Sequence, residues 1–335
     1  MKEQLCQDKL KGRAFLKQKQ HILNYGFGDK LSLEAFEAKE LEVSDMERVG
    51  IALFGPTGSG KTSFIGTVER ALLGIDKQTA FDKGASAEGT AILERFLSAL
   101  NINLLDTRGF GGNINDPARE CRNILSGRTR EGDVIDREYD GNDPGVKFSS
   151  RYMASFGNRV HGVIFILRAD DKRLKEGFYK KRLERIREYL RFQGHSPITV
   201  ITCEDKIKND EDREIAFQEA SAATGSPIDR TFFITNYTSL KKDYSLQTEK
   251  QVLDILDTAL LSAERFVLIQ KLREQRRWHL IRERLNNAHR NKIMRHSSIG
   301  LILYVYELTI WLPIQCKARN ARDVFLTRQP SCSLL

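Results

Sequence analysis

The chain has 335 residues with 54 basic and 45 acidic side chains, and its net charge of +9 is compatible with anionic partners without requiring them. Its composition, 40% hydrophobic and 30% charged, is typical of a soluble protein and leaves room for one large domain or two smaller ones. Its five cysteines are scattered and include no C-x-x-C pair, which argues against a zinc site and favours the reducing cytoplasm over secretion.

The first 45 residues are polar and rich in Lys, Gln and Glu, with weak helical periodicity. We expect residues 1–45 to form a helical extension whose Leu16, Ile22 and Leu23 dock on the domain that follows. No residue pattern in this stretch indicates chemistry.

Residues 46–262 alternate short apolar runs with amphipathic stretches, which is typical of an α/β domain. We predict three layers, with a mostly parallel sheet between helices. The predicted strands are 51–54, 91–96, 102–106, 162–167, 198–202 and 232–235. The predicted helices are 62–73, 117–125, 173–192, 212–223 and 248–267.

A phosphate-binding pattern follows the first predicted strand, where residues 55–62 match G-x-x-x-x-G-K-[ST] and a helix comes next. Glycines let successive backbone N–H groups turn toward an anion, and the positive end of the helix faces the same point. We predict that Lys61 reaches the outer phosphates and that the Thr62 hydroxyl binds Mg²⁺. The predicted phosphate contacts are Gly55, Pro56, Thr57, Gly58, Ser59, Gly60, Lys61, Thr62 and Ser63.

A second motif ends the predicted strand 102–106, where residues 106–109 match D-x-x-G. An aspartate at this place holds Mg²⁺, usually through water, and the backbone N–H of Gly109 senses a γ-phosphate. Asp106 is therefore the second predicted metal ligand, and the two motifs in this order indicate a GTPase-like P-loop domain. A threonine between them is expected to reach the Mg²⁺; Thr90 is our candidate and Thr79 the alternative.

The residues around the second motif predict slow or partner-dependent hydrolysis. Phe110 follows D-x-x-G, whereas small GTPases have a glutamine there that orients the attacking water. Arg108 is a candidate, beside Lys61, to stabilise transition-state charge, and a salt bridge is the equal alternative. The stretch 107–158, rich in Gly, Asn, Asp and Arg, is either a nucleotide-responsive loop or a mobile insertion.

Base recognition is predicted at the ends of the last two strands. Residues 202–205 read T-C-E-D, against a guanine motif of N/T-K-x-D, so that Thr202 and Asp205 fit the motif. Asp205 would accept hydrogen bonds from the N1 and N2 groups of guanine, which adenine cannot supply. Cys203 stands where a lysine normally stacks along the base, which weakens the guanine assignment. At the end of the next strand, a backbone N–H near Asn236 would contact the guanine O6.

The remaining residues are basic and then apolar. Residues 263–296 predict a basic amphipathic helix that packs on the domain with a solvated face; a surface for anionic lipid or nucleic acid is the alternative, and no specific nucleic acid is expected. Residues 297–335 hold an apolar segment too short to span a membrane and a tail without order. The last four residues, from Cys332, match C-a-a-X, whose prenylation would bring the chain to a membrane surface.

Together these motifs resemble the interferon-induced protein 44 family. The segments that carry the resemblance are G-P-T-G-S-G-K-T-S-F, D-T-R-G-F, C-R-N-I-L-S-G, V-I-T-C-E-D and F-I-T-N-Y-T-S, all within about residues 45–265. The resemblance implies a cytoplasmic GTP-binding domain linked to innate antiviral responses. With the metal ligands predicted above, the expected ligands are GTP or GDP and Mg²⁺. The family often has a further N-terminal domain, which we do not expect in the roughly 45 residues that precede the α/β pattern here, and the last 40 residues do not resemble the family. Immune GTPases with septin-like or AIG-type domains share the first two motifs.

Two other classes of protein stay open from the residues alone. A P-loop ATPase or kinase would prefer ATP and be indifferent to Asp205→Ala. A degenerate scaffold would bind protein partners without turnover, and its binding would be unaffected by Lys61→Ala. The sequence identifies no protein partner.

Overall fold

The computed structural model describes residues 2–31, 43, 46–75, 92–110, 117–135, 154–238 and 243–290. The chain divides into two compact units, Met1–Lys271 and Leu272–Leu335, and the described part of the second unit is the helical stretch 272–290. Thr79, Thr90 and the predicted tail 297–335 lie outside the described residues.

One sheet forms the centre of the first unit. Its strands are β1 (Val49–Phe54), β2 (Glu94–Phe96), β3 (Ile102–Asp106), β4 (Gly162–Arg168), β5 (Ile198–Thr202) and β6 (Thr231–Ile234). The six strands lie in the order β2-β3-β1-β4-β5-β6, and every neighbouring pair is parallel except β2–β3, so the predicted mostly parallel sheet is confirmed. Because the strand order changes direction at β1, a crevice is expected at the carboxyl ends of β1 and its neighbours.

The helices of the described residues are α1 (Lys2–Leu23), α2 (Lys61–Leu73), α3 (Pro117–Leu125), α4 (Lys172–Lys175), α5 (Phe178–Arg182), α6 (Glu184–Gln193), α7 (Asp210–Thr224) and α8 (Leu246–Arg290). Among them, none combines the length and the apolar character that a membrane crossing requires. The described residues also form short 3-10 turns at Phe156–Asn158, Glu204–Lys206 and Ile228–Arg230.

Alternate side chains of the central strand β1 fill two separate cores, because neighbouring side chains of a strand point to opposite faces. Ile51 belongs to a buried cluster that includes Phe64 of α2 and Leu256 of α8. Phe54 belongs to a second cluster that includes Ile186 of α6. All six residues of β1 are buried, and helices cover the sheet on both sides. The predicted three-layer α/β architecture is therefore confirmed.

The predicted strand 91–96 is wrong in length. Only β2 pairs with the sheet, and it runs antiparallel to β3. Leu93 instead exchanges backbone hydrogen bonds with a turn further along the chain: its N–H donates to the Asp133 carbonyl at 3.0 Å, and the Gly132 N–H donates to its carbonyl at 2.9 Å. This pairing with a distant segment leaves three residues for the sheet edge.

The predicted helix boundaries also differ on both sides of β5. The predicted helix 173–192 is divided into α4, α5 and α6, because Gly177 takes a left-handed conformation, with φ 70°, between α4 and α5. The predicted helix 248–267 and the basic segment after it form one helix, α8, whose 45 residues include neither glycine nor proline. Beyond Leu268 its apolar stripe is mostly exposed, as at Leu272 and Leu280.

The segment after α1 is anchored to α8 by the carboxylate of Glu264, which is 1% exposed. It accepts hydrogen bonds from the Tyr25 hydroxyl at 2.7 Å and from the backbone N–H groups of Gly28, Lys30 and Leu31 at 2.9, 3.1 and 2.7 Å. Four donors thus meet one buried carboxylate, which fixes the path of the chain into the domain.

The predicted docking of α1 is confirmed for Ile22 and Leu23 but not for Leu16, and Phe15 also packs against the core. Ile22 is fully buried and Leu23 packs against the same core, whereas Leu16 is 58% exposed. The weak periodicity of the helix is consistent with this partial contact.

Candidate functional site

The loop between β1 and α2, residues 55–60, owes its shape to three glycines. Gly58 and Gly60 have φ of 75° and 92°, in the region that side chains rarely adopt. A Cβ on Gly55 would lie 2.1 Å from the carbonyl oxygen of Ile166 on β4, so the loop backbone packs directly on the neighbouring strand. We call residues 55–60 the phosphate loop.

Lys61 begins α2 and places its charge inside the phosphate loop. Its Nζ donates hydrogen bonds to the carbonyl oxygens of Gly55 and Pro56 at 3.3 and 3.2 Å, and the residue is 7% exposed. The tip of the loop, at Thr57 and Gly58, is exposed. A shielded ammonium group beside an exposed turn of backbone is suited to an anion.

Thr62 and Asp106 meet at the base of the same loop. The Thr62 hydroxyl donates to the Asp106 carboxylate at 2.5 Å, and Asp106 is fully buried at the end of β3. The next residue, Thr107, donates from its hydroxyl to the Leu53 carbonyl at 2.6 Å and holds the end of β3 beside β1. The two side chains predicted to bind one metal ion, Thr62 and Asp106, are therefore adjacent. Ser63, a predicted phosphate contact, is half-buried in the same first turn of α2.

The D-x-x-G segment lies directly against the phosphate loop. The Phe110 N–H donates to the Gly55 carbonyl at 2.9 Å, and a Cβ on Gly109 would lie 2.6 Å from the Cα of Thr57. The Phe110 ring stacks on Phe54 with centroids 6.1 Å apart and is 7% exposed. The phosphate loop and the segment that follows Asp106 are therefore in direct backbone contact.

Arg108 is 8% exposed, and its guanidinium donates to the Ile135 carbonyl at 2.9 Å. This contact joins the D-x-x-G segment to the turn after α3. The catalytic role predicted for Arg108 stays a prediction.

Two predicted base-recognition residues, Thr202 and Asn236, donate hydrogen bonds to backbone carbonyls of the phosphate loop. The Thr202 hydroxyl donates to the Ser59 carbonyl at 2.7 Å, and the Asn236 amide donates to the Gly60 carbonyl at 3.3 Å. The Ser59 hydroxyl and the Asn236 Oδ1 are buried, and neither has a hydrogen-bond partner within the described part of the chain. Each unpaired buried group costs on the order of 1–3 kcal/mol.

Asp205 lies in the exposed 3-10 turn Glu204–Lys206 that follows β5. Cys203, just before this turn, has φ 60°, which is uncommon for a residue other than glycine. The structure thus brings the T-C-E-D motif to the same edge of the sheet as the phosphate loop, with Asp205 accessible from solvent.

Charged residues after β4 were missed by the sequence reasoning. An open pocket of about 180 Å³ is lined on one side by the phosphate loop and on the other by Arg168, Asp170, Asp171 and Arg173. Hydrogen bonds from Arg168 lower the pKa of Asp170 to about 2, so this carboxylate stays ionised. The only signal in the sequence is a run of charges, R-A-D-D-K-R, directly after an apolar strand.

No protein-family model matches the chain, and no curated protein matches it in sequence. Among solved structures it is similar to Toc33 from Arabidopsis thaliana, with 12% identity, coverage of 74% of this chain and 95% of Toc33, and a TM-score of 0.37. It is also similar to a member of an oligomerised bacterial dynamin pair (16% identity, 97% and 57% coverage, TM-score 0.41) and to SsGBP in complex with GDP (18%, 68% and 55%, 0.35). The chain therefore spans little more than half of the last two. Identities and scores this low assign no function.

Proposed function

We propose that the chain binds GTP or GDP together with Mg²⁺ through the phosphate loop and the strand ends beside it. The observation that carries the proposal is the convergence of Lys61, Thr62 and Asp106 at one glycine-shaped loop, with the last two 2.5 Å apart. A phosphate chain needs a cation and backbone N–H groups, and its divalent ion needs oxygen ligands. The loop offers both at one point.

The donor set at the base of the loop fits Mg²⁺, which takes oxygen ligands and keeps several waters. The Thr62 hydroxyl and the Asp106 carboxylate would hold the ion, which would neutralise charge on the phosphates when bound. A third ligand at Thr90, or at Thr79, stays part of the proposal because both lie outside the described residues.

One feature supports a nucleotide with a guanine base. Asp205 is exposed beside the site and can accept hydrogen bonds from the guanine N1 and N2 groups.

We further propose that hydrolysis is slow or depends on a partner. Phe110 is buried against Phe54, and an aromatic ring cannot orient water. The Arg108 Nη1 group already donates to the Ile135 carbonyl, so it is not free to contact a transition state in this arrangement. Single-turnover hydrolysis by the full chain is expected to be slow, and a fast intrinsic rate would contradict this proposal.

The binding proposal is tested by calorimetry on the full chain with GTP, GDP and ATP in the presence of Mg²⁺. Lys61→Ala is expected to abolish binding and Asp205→Ala to remove the preference for guanine. The matched controls are Lys180→Ala, which breaks a surface ion pair with Glu219, and Asp229→Ala, whose side chain is 75% exposed.

Other outcomes of that titration point to the other classes. A preference for ATP that Asp205→Ala does not change would make the protein a P-loop ATPase or kinase. Absence of binding would make it a scaffold, a reading favoured by Cys203 and Phe110 at positions where lysine and glutamine are usual.

The biological setting is a separate proposal that rests on the motif resemblance alone. The chain would act in the cytoplasm, in an innate antiviral response, with protein partners still to be identified. Prenylation at Cys332 would add attachment to a membrane surface. A protein that shows no mass shift and stays soluble in cells, with or without a geranylgeranyl-transferase inhibitor, would contradict the last point.

A further inference from the structure

Arg168, the last residue of β4, lies beside the start of the T-C-E-D segment. The register of the parallel strands pairs Arg168 with Thr202, and the Ala169 N–H donates to the Thr202 carbonyl at 3.0 Å. We call residues 203–206, which follow Thr202, the base loop. The backbone of β4 therefore brings Arg168 between the base loop and the phosphate loop.

The side chain of Arg168 connects the two loops. Its Nη1 donates to the Gly58 carbonyl at the tip of the phosphate loop at 3.4 Å, while Nε and Nη2 donate to both carboxylate oxygens of Asp170 at 2.8 and 2.7 Å. Asp170 in turn accepts a hydrogen bond from Lys206 of the base loop at 3.3 Å. Gly58 and Lys206 are thus linked through the bidentate ion pair between Arg168 and Asp170, and bidentate arginine–carboxylate pairs have a well-defined geometry.

The guanidinium lies where a ligand can reach it. The Arg168 side chain is 35% exposed and lines the open pocket beside Thr57, Gly58 and Ser59. Because Arg168 is paired with Thr202, it lies beside the strand end from which Cys203, in the lysine position of the base motif, follows directly. A thiol supplies no fixed positive charge at this point, and a guanidinium does.

We infer that Arg168 is a positioning residue for the bound nucleotide: from the end of β4 it takes over the place of the missing lysine and holds the phosphate loop and the base loop in register. This inference rests on the proposed nucleotide binding and assigns a role to a residue that the sequence motifs do not include. Asp170 orients the guanidinium, and Lys206 extends the link into the base loop.

The test is the affinity of the full chain for GDP and GTP, measured by calorimetry with Mg²⁺. Arg168→Ala is expected to weaken both nucleotides by about tenfold, the loss of one charge-assisted contact. Adding Cys203→Lys to Arg168→Ala is expected to restore most of the affinity, because the cation then returns from the base loop itself. Arg185→Ala, which removes an exposed arginine of α6, is the control and should leave the affinity unchanged.

The decisive measurement is whether Cys203→Lys restores the nucleotide affinity of Arg168→Ala. If Arg168 only stabilised the fold, a lysine at position 203, outside β4, would not restore that affinity. Unchanged affinity in Arg168→Ala would overturn the inference, as would a loss that Cys203→Lys does not restore. Binding that is lost in Lys61→Ala but kept in Arg168→Ala would overturn the inference alone. A wild-type chain that binds no nucleotide would overturn the proposed function, and the inference with it.

Discussion

Replacing Glu264 by alanine is expected to release the segment after α1 from α8 and to lower the free energy of unfolding. The Tyr25 hydroxyl and the Leu31 N–H are buried donors that would lose their acceptor. A hydrogen bond to a charged group contributes about 1.5–3 kcal/mol, so these two together account for about 3–6 kcal/mol. The N–H groups of Gly28 and Lys30 are partly buried and regain a partner from water. The expected loss for Glu264→Ala is therefore about 3–6 kcal/mol.

The assay is urea unfolding followed by circular dichroism, with two variants for comparison. Glu264→Gln keeps one acceptor oxygen and is expected to lose about half as much. Arg265→Ala alters the exposed neighbour on the same helix and should stay within about 0.5 kcal/mol of the wild type. A Glu264→Ala variant as stable as Arg265→Ala would refute the idea that this carboxylate anchors the N-terminal segment.

Three further predictions concern stability and the site. Burial lowers the pKa of His195 from its ordinary 6.5 to about 3. The stability that the neutral ring contributes is therefore complete above pH 6.5 and falls by about 1.4 kcal/mol per pH unit between pH 6.5 and pH 3. His195→Phe should remove this slope from the free energy of unfolding measured against pH, and an unchanged slope would contradict the prediction. Gly55→Ala places a Cβ 2.1 Å from the Ile166 carbonyl oxygen and is expected to abolish nucleotide binding in calorimetry, so retained affinity would count against the described loop geometry. Thr62→Ala should abolish the effect of Mg²⁺ on nucleotide affinity, measured with the metal and with a chelator, whereas Ser63→Ala should keep it; a full Mg²⁺ effect in Thr62→Ala would exclude that hydroxyl as a ligand.

The phosphate loop was predictable because its conformation is determined locally. Gly58 and Gly60 adopt positive φ, Lys61 begins the helix, and the apolar run before them becomes the central strand. The three layers were also predictable from the local pattern, because a sheet of apolar strands that alternate with amphipathic helices must bury both of its faces.

Elements that depend on distant partners were not predictable in the same way. The edge strand β2 is shortened because Leu93 pairs with a turn about 40 residues further along the chain. The anchoring of the N-terminal segment depends on Glu264, which is buried in the structure. From the sequence alone a glutamate is expected to be exposed to solvent.

Arg168 illustrates the same limit at the site. It belongs to no motif, and its position depends on the pairing of β4 with β5 in the sheet. The departure at Cys203 was visible in the sequence, but the arginine paired with the residue before it belongs to another strand. Substitutions in a motif are therefore best interpreted with the side chains that surround them in space.

The most direct test of guanine-nucleotide binding is an exchange of base specificity at Asp205. Xanthine carries a carbonyl oxygen where guanine carries the N2 amino group, so an amide in place of the carboxylate should favour xanthine over guanine. Calorimetric titration of the full-length wild type and of Asp205→Asn with GTP, XTP and ATP in Mg²⁺ measures this exchange. We predict that the wild type prefers GTP and that Asp205→Asn prefers XTP. Equal affinities in the two proteins, or a preference of the wild type for ATP, would contradict the assignment of the site to a guanine nucleotide.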